Sequence, residues 1–160
     1  MIVTEQKQII FILSLAVSLG ILRSFFLDDP EFTLIKKERV IETVSTFSLP
    51  DEMSGPMIVN LEFSKYYFDA GSAIFIDARD PEDYDAGHIH NAINIPYDYY
   101  EDYEDVMDGL DDDGIYIIYC SGEECSLSID LADYLYTDKL IDKLLIFEGG
   151  WPEWQDAEYP

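Results

Sequence analysis

The chain is poor in cysteine and in positive charge, and each shortage excludes something. Two cysteines in 160 residues are too few for a disulfide framework, and they leave the redox compartment open. Nine Lys and Arg stand against 34 Asp and Glu. Residues 51–160 alone carry 28 acids and 4 bases, a net of −24. Such a surface repels phosphate backbones, which excludes nucleic acid as a partner, and it also repels anionic headgroups and anionic substrates. Its plainest use is solubility. There is no internal repeat and no second long apolar run. The densest acidic tract, Tyr97 to Asp113, lacks the alternating oxygen-ligand loop of a calcium site, with its central glycine and closing glutamate. It reads as a solvated helix face ending in a turn, and no metal site is assigned.

One apolar run is present near the start. Ile9 to Leu22 carries no charge, Arg23 interrupts, and Ser24 to Leu27 resumes, giving 19 residues from Ile9 to Leu27. A helix of that length rises roughly 28 Å at ~1.5 Å per residue, close to the ~30 Å hydrocarbon core. Three readings compete: a single-pass membrane anchor, a cleaved signal peptide and a buried core helix. The anchor is favoured, because no small-x-small cleavage site follows the run and Lys7 is the one basic side chain ahead of it. Arg23, Lys36, Lys37 and Arg39 lean slightly towards a cytoplasmic C-terminus, but the side of the soluble part is left open. The organisation expected is an anchor over 1–27, a connector over 28–56 punctuated by Pro30, Pro50, Gly55 and Pro56, and a folded domain over 57–160.

From residue 57 the chain alternates. Met57–Val59, Ala73–Ala78, Ala92–Pro96, Ile115–Tyr119 and Leu144–Phe147 are short runs rich in β-branched and aromatic residues, as buried parallel strands are. Between them, Leu61–Ala70, a segment opened by Asp80-Pro81, Tyr99–Leu110 and Ser126–Leu135 read as helices. This is an α/β domain with a mostly parallel sheet. Ligands of such sheets bind beyond the carboxyl ends of the strands, and Cys120 stands at the carboxyl end of the fourth.

Cys120 follows a strand and precedes a helix that starts near Ser126, with Gly122 free to curl the loop between them. A curled loop at a helix N-terminus aims several N–H groups at one point and makes an anion cradle. A thiolate or persulfide there is stabilised, and the ordinary thiol pKa of ~8.5 falls. Glu123 and Glu124 oppose this unless they turn to solvent. The competing reading is a buried structural cysteine that ends a strand.

Three stretches, in order, resemble the motifs of rhodanese-like domains. The first is Asp77-Ala-Arg79, Tyr84, Gly87-His-Ile89 and Ala92-Ile-Asn-Ile-Pro96; the second is Ile115 to Gly122; the third is Gly149-Gly-Trp151 with Trp154. The likeness runs from about residue 57 to residue 158. It implies a five-stranded, mostly parallel sheet flanked by helices, here preceded by one hydrophobic helix, and a sulfurtransferase that needs no metal or organic cofactor. Cys120 is then the catalytic nucleophile. It takes sulfane sulfur from a small donor or a protein persulfide and passes it to a thiophilic acceptor in two half-reactions. Ser121, Gly122, Glu123, Glu124, Cys125 and Ser126 form the persulfide-binding loop. Phosphatases of the same fold carry an arginine six positions after the cysteine, to clamp phosphate; here that position is Ser126, and the loop holds no basic residue. The same lack makes thiosulfate a poor donor and favours a neutral or protein-bound persulfide.

Cys125 has two readings: it resolves a Cys120 persulfide or sulfenate by forming a disulfide, or it is a small apolar filler. If the loop curls around Cys120, Cys125 points away and the pair cannot close without rearrangement. Asp77 and Arg79 read as a brace at the strand end with Glu82 as a further partner, and His88 as a loop-fixing hydrogen bonder. Trp151 and Trp154 close the core. The alternative to the enzyme is a noncatalytic binding or thiol- and sulfide-sensing module whose acidic face docks a basic protein.

Overall fold

Five short apolar runs become five parallel strands. The computed structural model describes residues 11–15, 48–50, 53–122 and 125–160. The strands are β1 (Met57–Val59), β2 (Ile74–Asp77), β3 (Ile93–Asn94), β4 (Tyr116–Tyr119) and β5 (Leu144–Phe147), hydrogen-bonded in the order β1-β5-β4-β2-β3. Every pairing is parallel. The helices that carry the crossovers are α1 (Leu61–Ala70), α2 (Pro81–Ala86), α3 (Glu104–Met107), α4 (Leu127–Thr137) and α5 (Gly150–Asp156).

The chain divides into two compact units, Met1–Val40 and Ile41–Pro160. Within the first, residues 11–15 are described, and they are helical, with Ser14 Oγ donating to Phe11 O at 2.9 Å. The remainder of the stretch read as a membrane anchor lies outside the described residues, as does most of the connector. Among the described residues no helix is long and apolar enough to cross a membrane.

The sheet sorts its side chains by the two-residue period of a strand. From β4, Tyr116 and Ile118 face one layer with Leu131, Ala132 and Leu135 of α4 and Met107 of α3. Ile117 and Tyr119 face the other, with Phe63 and Tyr67 of α1 and Trp154 of α5. Cys120 continues the 116, 118 alternation, so it belongs to the α4 layer. β4 and β5 are buried along their whole length, as central parallel strands are.

Local chemistry sets the helix ends. Asn60 caps α1, its Oδ1 accepting from Phe63 N at 2.9 Å, and Gly71 closes the helix in the left-handed region at φ 59°. Pro81 opens α2 with Glu82 and Asp83 in the first turn, where the helix dipole favours acids.

One expected helix is different. In place of a continuous Tyr99–Leu110 helix there is a 3₁₀ segment over Tyr97–Tyr103, kinked at Tyr99 (φ −130°, ψ 21°), and then the single turn of α3. The tyrosines explain it. Tyr97, Tyr100 and Tyr103 all pack against the α4 layer, and a spacing of three aligns them on one face of a helix with three residues per turn. Tyr97 stacks on Tyr100 (5.6 Å), and Tyr100 packs against Tyr134 of α4 (4.5 Å). Lys139 then bridges Glu104 and Asp108, and Tyr134 Oη donates to Glu104 Oε1 at 2.8 Å. These hydrogen bonds hold Glu104 below its ordinary carboxylate range and push Tyr134 up to about 12.

Removing the α1 cap tests the local argument. Asn60→Ala is expected to cost about 1 kcal/mol in urea unfolding, with the slope of the transition unchanged.

Candidate active site around Cys120

The aligned carboxyl ends of β2, β4 and β5 build the site. Asp77 lies opposite Tyr119, and Tyr119 opposite Phe147. The next residues of each strand, Ala78-Arg79, Cys120 and Glu148-Gly149, therefore leave the sheet along one edge.

Arg79 and Asp77 form a buried pair, 5% and 0% exposed. Arg79 Nη2 donates to Asp77 Oδ2 at 2.6 Å and Nε to Oδ1 at 3.0 Å, a two-pronged geometry. The Arg79 amide also donates to Oδ1 (3.0 Å), and Nη2 reaches Gly87 O at 2.7 Å. The expected partner Glu82 is replaced by that carbonyl, because the guanidinium points along the sheet edge towards the Gly87 turn. Burial works against the Arg79 charge, but hydrogen bonding to Asp77 and its negative charge outweigh it, and the Arg79 pKa is raised. The guanidinium lies over the rings of Tyr119 (5.9 Å) and Trp151 (5.6 Å). Asn94 Nδ2 donates to the carbonyls of Asp77 (3.0 Å) and Arg79 (2.9 Å), holding the bend from behind. His88 stacks on Tyr84 at 3.8 Å, and its Nδ1–H donates to Tyr84 O at 2.8 Å. Its role here is to fix the turn. Burial, then the charge of Asp77, pushes the Tyr119 phenol strongly up, and its oxygen accepts from Ile89 N at 3.1 Å.

The Cys120 backbone is clamped from the far end of the domain. Trp151 N donates to Cys120 O at 2.9 Å. The approach depends on Gly150, whose φ is +59° and whose added Cβ would meet Cys120 O at 2.3 Å and Gly122 N at 2.7 Å. Both neighbours are backbone and cannot swing aside.

Cys120 is 1% exposed and joined to Cys125 in a disulfide, with Cα atoms 6.4 Å apart, inside the usual range for such a bond. Two expectations change. Cys125 does not point away; the loop closes on itself and the pair forms. The anion cradle is also not formed in this state. Cys120 Sγ lies 3.4 Å from Ser128 Oγ and 3.5 Å from Cys125 O, and no amide of the described loop residues is hydrogen-bonded to it. The Cys125 amide donates instead to Gly122 O at 2.9 Å, the i to i+3 bond of a tight turn, which takes it away from the sulfur. Glu123 and Glu124 lie outside the described residues. Ser126 precedes α4 without a side-chain cap, its carbonyl accepting from Asp130 N at 2.9 Å.

An open cleft of about 820 Å³ lies against this loop, lined among the described residues by Ser121, Gly122, Cys125, Gly149, Pro152, Glu153 and Asp156. Its size suits a small molecule or a short extended peptide. Cys125 faces it, and Cys120 lies behind. Two carboxylates one helical turn apart on α5 make its wall acidic.

Three contributors escaped the sequence reading. Ser128 is buried on the stripe Ser128, Leu131, Ala132 and Leu135; a serine in that apolar 128-131-132-135 spacing was a legible signal. Glu153 and Asp156 reach the cleft only because α5 folds back over the loop, which no local pattern carries.

These features define the class: a parallel α/β domain with a cysteine loop between its central strand and a helix. The model of the rhodanese-like domain family matches residues 62–157, and the chain belongs to that family. Among solved structures, a protein of Bacillus halodurans is similar at 25% identity and a TM-score of 0.54, over 62% of this chain and 72% of that one. The rhodanese-like domain of an Anabaena protein is similar at 20% identity and a TM-score of 0.52, over 69% and 78%. A Lactobacillus plantarum protein is similar at 17% identity and a TM-score of 0.53, over 64% and 85%. No curated protein sequence matches.

Two substitutions test this geometry. Gly150→Ala forces a side chain into the left-handed region, at about 1–3 kcal/mol, and against the Cys120 carbonyl besides. Thermal unfolding should show a loss at or above that range, whereas an unchanged midpoint would contradict the clamp. Arg79→Met strands the Asp77 charge and is expected to cost about 3–5 kcal/mol, and Asp77→Val combined with it should recover part of the loss.

Proposed function

We propose that the chain is a sulfurtransferase that carries sulfane sulfur as a persulfide on Cys120. The observation that carries the reading is the position of Cys120, at the carboxyl end of the central strand and under the first turn of α4, in a chain of the rhodanese-like family. The working form is the reduced one. Its Cys120 thiolate attacks the outer sulfur of a donor persulfide, the donor leaves as a thiolate, and Cys120 holds the transferred atom. Ser128 Oγ, 3.4 Å from the sulfur, donates a hydrogen bond to the anion. The reading requires the amides of Ser121, Gly122, Cys125 and Ser126 to turn towards it once the disulfide is open. Glu153 and Asp156 on the cleft wall disfavour thiosulfate and favour a neutral small donor or a protein persulfide. Attachment to a membrane through Ile9–Leu27 belongs to the same proposal and rests on the hydropathy of that stretch.

The disulfide favours a second reading, a noncatalytic thiol- and sulfide-sensing module that docks a basic partner on its acidic face. One measurement separates the two. The reduced chain is mixed with cysteine persulfide, alkylated and mapped by mass spectrometry. The enzyme reading expects uptake at Cys120, trapped as a gain of one sulfur atom when Cys125 is replaced by serine, no uptake by Cys120→Ala, and sulfur transfer to cyanide that disappears in that last variant. Failure of Cys120 to take up sulfur from any donor, neutral or protein-bound, leaves the sensing module.

A further inference from the structure

We propose that Cys125 is the built-in acceptor of the sulfur cycle, so that the reaction ends in hydrosulfide and consumes a dithiol. The inference rests on the persulfide reading of Cys120 given above and adds the second half-reaction, its product and its reductant.

The bond between Cys120 and Cys125 establishes that the Cys125 sulfur reaches the inner sulfur of a Cys120 persulfide. That contact defines a complete step. The Cys125 thiolate attacks Cys120 Sγ, the new S–S bond forms, and the bond between Sγ and the outer sulfur breaks. Hydrosulfide leaves with the electron pair. The two cysteines are oxidised together by two electrons, and the outer sulfur is reduced to the sulfide level. Attack on the outer sulfur instead would only move the persulfide to Cys125.

The surroundings favour the internal route. An external anionic acceptor must pass Glu153 and Asp156, which share the cleft wall with Cys125. Cys125 is already inside and needs no passage. The same carboxylates repel hydrosulfide outward once it is formed, which opposes the reverse attack on the disulfide.

The disulfide state then has to be reset, and the geometry assigns the point of attack. Cys125 lines the cleft, whereas Cys120 is 1% exposed. A dithiol reductant, neutral while its thiols are protonated, passes those carboxylates, and the thiolate it forms in the cleft bonds to Cys125 Sγ. Cys120 leaves as the thiolate, with the Ser128 hydroxyl 3.4 Å away to donate to it. The second thiol of the reductant attacks its own sulfur in the mixed disulfide, releases Cys125 and leaves as an oxidised dithiol. The sum is one sulfane sulfur and one dithiol converted to one hydrosulfide and one disulfide. A monothiol completes the same reset only by spending two molecules.

The test is a single turnover of the full chain. The protein is reduced, freed of reductant, mixed with one equivalent of cysteine persulfide and quenched with an alkylating agent that also traps hydrosulfide. The wild type is expected to release one hydrosulfide per chain and to end with Cys120 and Cys125 protected from alkylation. Cys125→Ser is expected to keep the extra sulfur on Cys120 and release hydrosulfide only after dithiothreitol is added. That stable adduct also reports a folded, competent loop. Hydrosulfide release by Cys125→Ser at the wild-type rate, or an adduct resting on Cys125 in the wild type, would overturn the role of Cys125 while leaving sulfur uptake by the domain intact. No adduct on Cys120 in either Cys125→Ser or the wild type, with no hydrosulfide, overturns the persulfide reading itself and this inference with it.

Discussion

The two-residue period of the central strand is the constraint on which the site depends. Tyr116 and Ile118 point into the α4 layer and Ile117 and Tyr119 into the α1 layer. The residue that follows has no choice of side. Cys120 turns towards α4, beneath the first turn of that helix and within reach of Ser128. A slip of one residue would send the sulfur to the layer of Trp154 and Phe63, away from the helix terminus and from the loop that carries its partner.

Much of this was legible in the sequence because it is local. The five strands are short apolar runs with clear stops, and all five expected runs contain a strand in the fold. The α1 stretch Leu61–Ala70 reads as a helix from its own residues, and α2 announces itself by Asp80-Pro81. Cys120, Asp77, Arg79 and Gly149-Gly-Trp151 stand in motifs of recognisable order. What was not legible depends on tertiary choice. Tyr99–Leu110 reads as one helix by composition, but three tyrosines at a spacing of three gain more from packing on α4 than the segment loses by winding as 3₁₀. The further partner of the Asp77–Arg79 brace was read from nearness in sequence as Glu82, while the fold presents the Gly87 carbonyl. The state of the two thiols was open, because a five-residue separation suits a cradle and a closed disulfide equally, and the loop that decides between them has no hydrophobic pattern to commit it.

Charge and chemistry are arranged at different depths. The excess of acid is carried largely on the surface and reaches the cleft in Glu153 and Asp156. Inside, the one guanidinium of the site is fully engaged by Asp77 and the Gly87 turn. Its charge is spent on holding two strand ends and two aromatic rings in register. Among the described residues no cation of the site is left over to recognise an anion, and the Cys120 sulfur has the Ser128 hydroxyl and the Cys125 carbonyl as its neighbours instead. This sets the site apart in kind from phosphate-binding loops, where an arginine faces the ligand.

The tie from Trp151 to the Cys120 carbonyl spans the last strand and the turn after it. In chain order the thiol after β4 precedes the residues that grip it, and the strand between them, β5, lies between β1 and β4 in the sheet. The nascent polypeptide therefore passes through an interval in which both sulfurs are made but neither is seated. An oxidising surrounding meets them then as loose ends. A reducing one lets the sheet close first, and the pair is then joined on a finished scaffold.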